Sequence, residues 1–210
     1  MNASQVQSLL MTNYRLKSQH VFRRDYLGMS GVGGCPREWY FRAVGDTEST
    51  QMEKDRMAWY SMVGYALEDA VVKRLGGFQA RRSLVADFDS RYKGHTDHEL
   101  RDGTLIEVKT VYWEKFLTLQ DSGVGAEQNV AQCQAYMRHG DFPHAVLVYT
   151  PRDIPHNAWT QAYRNSLPFW CADVPRDEAI ADRLDGKAKR VLAAMNANVP
   201  PMCTCGYCKK

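Results

Sequence analysis

Residues 94–111 read Gly-His-Thr-Asp-His-Glu-Leu-Arg-Asp-Gly-Thr-Leu-Ile-Glu-Val-Lys-Thr-Val. Residues 92–100 and 104–111 have the two-residue period of strands, and Asp102-Gly103 supplies a hairpin turn between them. The turn folds Asp97 back toward Glu107. Residues two apart on a strand share a face, so Glu107 and Lys109 point the same way. Leu105, Ile106, Val108 and Val111 mark the second strand as buried. A buried strand rarely carries an acid and an amine together without a use. Two carboxylates and an ammonium in one small volume suit a hard divalent ion, Mg²⁺ or Mn²⁺, and phosphodiester chemistry. A surface hairpin with ordinary charges is the plainer alternative.

Outward from this stretch, the pattern predicts the rest of an α/β domain with a small mixed sheet flanked by helices. Residues 3–17 read as a short helix, Gly28 to Gly34 as a glycine-rich turn, and Arg37 to Ala43 as a short aromatic helix after Pro36. Residues 53–75 have helical period, with Met57, Tyr60, Gly64, Leu67, Val71 and Leu75 forming one buried stripe. Residues 79–88 read as a strand, 112–119 and 126–138 as helices, and His144 to Thr150 as an apolar strand. Pro175 to Asn196 reads as a long amphipathic helix.

Glu68 sits at the edge of the helical stripe, where its carboxylate could complete a metal shell; Asp69 is the weaker candidate. Gln128, Gln132 and Tyr136 are spaced by four and form a ridge. A glutamine amide can bridge a lysine and a phosphate oxygen, and a tyrosine can donate to phosphate or stack on a base. Arg37, Tyr112, Trp113 and Lys115 mix cations with rings, a combination suited to single-stranded DNA; Trp39 and Tyr40 alternatively fill the core.

Cysteines bracket this core. Cys203, Cys205 and Cys208 concentrate three thiols near the end, and Cys35 would complete a tetrahedral set for zinc or an iron–sulfur cluster. Cys133 and Cys171 are isolated and read as buried apolar residues.

The bulk composition constrains less. Apolar residues make up 44% and charged residues 24% of 210, which supports a packed core. A net charge of +3 is compatible with nucleic acid without requiring it. The chain carries no apolar run long enough to cross a bilayer and no signal-peptide pattern at its start, so an intracellular, cytoplasmic protein is expected. It contains no P-loop and hence no motor of its own.

Glu68, the GHTD ending in Asp97, the EVK of Glu107 to Lys109 and the QCQAY of Gln132 to Tyr136 resemble the successive motifs of the PD-(D/E)xK nuclease superfamily, its RecB-like branch in particular. The resemblance implies a restriction-endonuclease-like core, a metal held by Asp97, Glu107 and the Val108 carbonyl, and Lys109 as base or stabiliser. In that branch the helical ligand is often histidine; here Glu68 stands in its place. The stretch GGCPREWYFRAVG around Cys35, with one cysteine before the core and three after it, is similar to AddB-type domains and CRISPR-associated adaptation exonucleases. It implies a 4Fe–4S cluster, although the C-terminal spacing is tighter than usual there and zinc stays an alternative.

Together these features imply one nuclease domain over residues 1–210. Its core spans about 53–150, and its cluster subregion is formed by about 28–45 and 175–210. The implied activity is exonuclease action on single-stranded or ended DNA, in repair, recombination or phage or CRISPR processing. A homo-oligomer or a recombination or helicase partner would supply processivity. A DNA-binding or assembly subunit on the same fold is the competing reading.

Overall fold

The computed structural model describes residues 3–8, 26–45, 50–76, 81–158 and 169–206. Residues 3–8 are helical; the rest of the expected helix over 3–17 lies outside the described residues, as does Cys208.

The strands form two sheets. In the first, β1 (Leu27–Gly28), β3 (Asp89–His95) and β2 (Ser83–Ala86) lie in the order β1-β3-β2. In the second, β4 (His98–Glu99), β5 (Leu105–Val111), β6 (His144–Pro151) and β7 (Trp170–Pro175) lie in sequence order. The expected α/β fold with small mixed sheet structure flanked by helices is present, with the strands divided between two sheets. Gly28 joins a strand rather than only a turn, because β1 pairs with β3 in parallel, and such distant pairing leaves no local trace in sequence.

The hairpin forms as its turn chemistry dictates. Gly103 has φ of 83°, Leu100 N–H donates to Thr104 O at 2.9 Å, and Thr104 N–H donates to Asp102 Oδ1 at 3.0 Å. Glycine fits that left-handed position without a Cβ penalty. β4 and β5 then pair antiparallel, with His98 opposite Ile106 and Glu99 opposite Leu105. Asp97, one residue before β4, therefore comes beside Glu107.

β5 and β6 are parallel, which requires a crossover. Helices α3 (Trp113–Ser122) and α4 (Glu127–Gly140) supply it. Trp113 N–H donates to Asp153 Oδ1 at 2.9 Å, so a carboxylate beyond β6 caps the start of α3. The two faces of β5 separate two cores. Leu105 joins the main cluster with Leu147, Tyr149, Met137 and Val191. Ile106 and Val108 form a smaller cluster with Val148 and Val71.

The remaining helices are α1 (Pro36–Val44), α2 (Gln51–Arg74) and α5 (Glu178–Ala197). Pro36 takes the first helical position, as expected, and Cys35 is the cap. A capping box between Thr50 and Glu53 starts α2. The stripe read on α2 is only partly buried: Met57 is 49% exposed and Leu75 43%, and of the stripe only Val71 is fully buried, beside Glu68. The small core beneath α2 is too narrow to cover the whole stripe. Strand β7 was not expected. Its alternation of Ala172 and Val174 inward with Cys171 and Asp173 outward is short and ends at Pro175. Cys171 is consequently exposed rather than a core residue. Among the described residues no helix is long and apolar enough to cross a membrane.

Candidate active site

β5 delivers the acid and the amine. Glu107 is 1% exposed. Lys109 Nζ donates to Glu107 Oε1 at 2.6 Å and to Gln132 Oε1 at 2.9 Å. The Gln132 amide donates in turn to Glu107 Oε1 at 2.7 Å and to the Tyr136 hydroxyl at 3.0 Å. Gln132 and Tyr136 are one turn apart on α4, so one helical ridge meets one strand face. The ring of Tyr136 fits because residue 94 is glycine: a Cβ there would lie 2.6 Å from the ring. Gln128, the third residue of the ridge, is exposed.

Asp97 occupies a bend between β3 and β4, and its Oδ2 accepts from the Val108 amide at 2.8 Å. That bond fixes the carboxylate against β5. Glu68 reaches the same cleft from α2 and pairs with Arg81. The cleft has a volume of about 290 Å³ and is lined by Glu68, Asp97, Glu107, Val108, Lys109, Gln132 and Tyr136 among others.

Its electrostatics are those of crowded acids. Burial, then Glu107 and Glu68, push the Asp97 carboxyl well above the usual aspartate range. Burial also raises Glu107, against the pull of Lys109. For Lys109, burial acts downward, but Glu107 and Asp97 outweigh it and hold the ammonium above the usual lysine range. Burial and the charge of Glu107 raise the Tyr136 phenol, which stays protonated.

A hard cation fits this donor set. Glu107 Oε2 is buried and has no hydrogen-bond partner, an arrangement that costs free energy unless something occupies it. The three carboxylates nevertheless do not all come within 4.8 Å of one another. Among the described residues, the one group of three ligands whose donor atoms all lie within 4.8 Å is Cys35, Cys203 and Cys205.

In that group Cys35 Sγ lies 4.0 Å from Cys203 Sγ, and Cys203 Sγ 3.5 Å from Cys205 Sγ. Four thiolates on one tetrahedral ion at about 2.3 Å would stand about 3.8 Å apart, so this spacing fits a single ion. Arg37 donates to Pro201 O at 3.3 Å, and Lys187 donates to Val32 O at 2.7 Å and to Gly34 O. Both cations hold the backbone around the thiols.

The proposed DNA contacts divide. Tyr112 is 42% exposed, and Lys115 is exposed on α3. Trp113 is buried at 6% exposure and stacks on Phe116, so its ring serves the core and not a base. Arg37 also covers the Phe41 ring at 5.2 Å and braces the tail. Trp39 and Tyr40 are core residues. Arg81 lies outside every motif that the sequence analysis identified. Its pairing with Glu68, and its place 5.2 Å over the Tyr65 ring, join residues with no shared local pattern.

No protein-family model matches the chain, and no curated protein matches it. Solved structures do. The alkaline exonuclease LHK-Exo from Laribacter hongkongensis superposes with a TM-score of 0.58 at 14% identity, covering 86% of this chain and 93% of that one. The same exonuclease in complex with dAMP gives 0.59 at 14% identity, over 82% and 89%. The protein SSO0001 gives 0.53 at 16% identity, over 89% and 86%. At these identities the likeness establishes a shared fold, and this chain has the mixed α/β fold of those structures.

Proposed function

We propose that the chain is a divalent-metal-dependent DNA exonuclease acting on single strands or DNA ends. The observation that carries this reading is the buried Glu107–Lys109–Gln132–Tyr136 network beside Asp97, with one Glu107 oxygen left unpartnered in an open cleft. The fold shared with an alkaline exonuclease, crystallised also with dAMP, supports it.

Asp97, Glu107, the Val108 carbonyl and Glu68 would hold Mg²⁺ or Mn²⁺. When bound, such an ion lowers the pKa of its water and neutralises phosphate charge. The protein supplies the rest. Lys109, held protonated by two carboxylates, is a stabiliser of negative charge on the phosphate rather than a proton acceptor. Gln132 locks its ammonium and Glu107 in one geometry, so little reorganisation remains when the strand arrives. Tyr136, held neutral, offers a donor.

The assay is degradation of 5′- and 3′-labelled single strands in Mn²⁺ or Mg²⁺. Cleavage that disappears in Lys109→Ala supports the reading; binding without cleavage in either metal replaces it with the DNA-binding subunit. The cysteine site takes a structural metal in this reading. The sequence resemblance supports a 4Fe–4S cluster, and the sulfur spacing of 3.5 and 4.0 Å supports one zinc-like ion. Iron and zinc content, with visible absorbance of the protein as purified, decides between them.

A further inference from the structure

A second constellation lies at the carboxyl ends of the parallel pair β5 and β6. Tyr112 follows β5 and Arg152 follows β6; the two strands are in register at Val111 and Pro151, and Arg152 N–H donates to Val111 O at 2.9 Å. The Arg152 guanidinium carbon lies 3.7 Å from the Tyr112 ring centroid and 4.3 Å from that of Tyr60 on α2. The rings are edge to face at 6.1 Å, and the Tyr112 hydroxyl donates to that of Tyr60 at 2.6 Å. Two tyrosines thus hold one guanidinium. The Arg152 Nε is buried without a hydrogen-bond partner among the described residues. A guanidinium fixed between two rings is a fork for an anion, with geometry matched to phosphate.

Its location identifies the anion. Tyr60 precedes Glu68 by eight residues, so the cluster stands about 12 Å along α2 from the acidic cleft. That is the span of about three or four stacked nucleotides. Tyr112 is 42% exposed, leaving ring surface on which a base can stack.

We propose that Arg152, Tyr112 and Tyr60 form a docking site for the substrate strand about three nucleotides from the bond that is cut, with Arg152 taking a phosphate and Tyr112 a base. This rests on the nuclease reading for its distance to the cut, but its test does not depend on cleavage. A fluorescein-labelled oligothymidylate of about twelve nucleotides is titrated in EDTA across a salt series. In Arg152→Gln the affinity falls about tenfold, and the slope of log affinity against log salt drops by about 0.7, the share of one phosphate on a single strand. Arg152→Lys keeps the slope while losing affinity. Tyr112→Leu weakens binding about tenfold without changing the slope.

An Arg152→Gln protein with wild-type melting behaviour, affinity and slope overturns the proposal, even if the wild type cleaves DNA. The Arg152 signature in a protein that cuts nothing in Mn²⁺ sustains the docking site and removes the nuclease reading. If Arg152→Gln fails to fold, Arg152→Lys and Tyr112→Leu carry the test: both binding like wild type overturns it.

Discussion

The acidic cleft and the cysteine clasp are both candidate metal centres, and they are built in opposite ways. The cleft draws on adjoining elements, β5, the β3–β4 bend and α4, and its side chains are locked by bonds of 2.6–3.0 Å between protein groups. The clasp joins Cys35 to Cys203 and Cys205 across most of the chain, and two of its three described thiols lie outside the core. The cleft is therefore assembled by the fold and strains it, since raised carboxyl pKa values mean that burying those charges is unfavourable. The clasp strains little and would gain its cohesion from what it binds, because a bound metal closes a long loop. In the proposed reading one centre expends stability on chemistry, and the other returns it.

Neutralising the cleft should give the largest effect. Glu107→Gln and Asp97→Asn are each expected to lower cleavage by at least about a hundredfold. In EDTA at neutral pH the same variants should melt at or above the wild-type temperature. The sign follows from protonation. The folded Asp97 carboxyl has a pKa above its unfolded value of about 4, so the folded state holds its proton more tightly. Below about pH 4 both states are protonated and Asp97 contributes nothing. As pH rises from there through the raised folded value, wild type loses stability relative to Asp97→Asn, and the gap stays open above it. Thermal melts across pH check this; a gap that closes as pH rises would contradict the assignment of strain to the cleft.

Breaking the clasp should do the reverse. Cys35→Ser or Cys203→Ser is expected to release the bound metal and lower Tm by on the order of 10 °C. Cleavage per folded molecule, measured well below the new Tm, should fall far less than in Lys109→Ala. Equal losses of cleavage would merge the two centres into one functional unit. A smaller effect belongs to Lys187, whose ammonium binds two carbonyls of the turn before Cys35. Lys187→Met should cost about 1–2 kcal/mol in the metal-loaded protein, read by denaturant melts, and should speed metal loss to a chelator.

The cleft was more legible in the sequence than the architecture around it. Asp97, Glu107 and Lys109 are related by one strand period and one Asp-Gly turn, and Gln132 and Tyr136 by one helical turn. Each relation spans few residues, so spacing alone carries it. What sequence reading missed depends on distant contacts. The division into two sheets falls at Thr96 and Asp97, where the chain leaves β3 and enters β4, and β1 pairs with β3 from some sixty-five residues away. The exposure of Met57 follows from how little core lies under α2. Trp113 looks like a stacking residue beside Tyr112, yet successive positions point about 100° apart once α3 begins, and one ring enters the core. Cys171 reads as buried until β7 proves to be an edge strand.

The finest test of the comparison uses another orphaned polar atom, this one in the core. The Tyr92 hydroxyl is, like Glu107 Oε2, buried without a hydrogen-bond partner. It sits in the main core against Trp39, Phe88 and His139, and it does not line the cleft. An unpartnered hydroxyl costs its desolvation and returns nothing, so Tyr92→Phe should be neutral or stabilising by about 1 kcal/mol, with cleavage unchanged. Glu107→Gln should share the first result and fail the second. Measured side by side by denaturant melts and strand degradation, the pair separates an orphaned atom that is merely tolerated from one retained for a ligand. If Tyr92→Phe also abolished cleavage, burial without a partner would no longer distinguish the cleft from the core behind it.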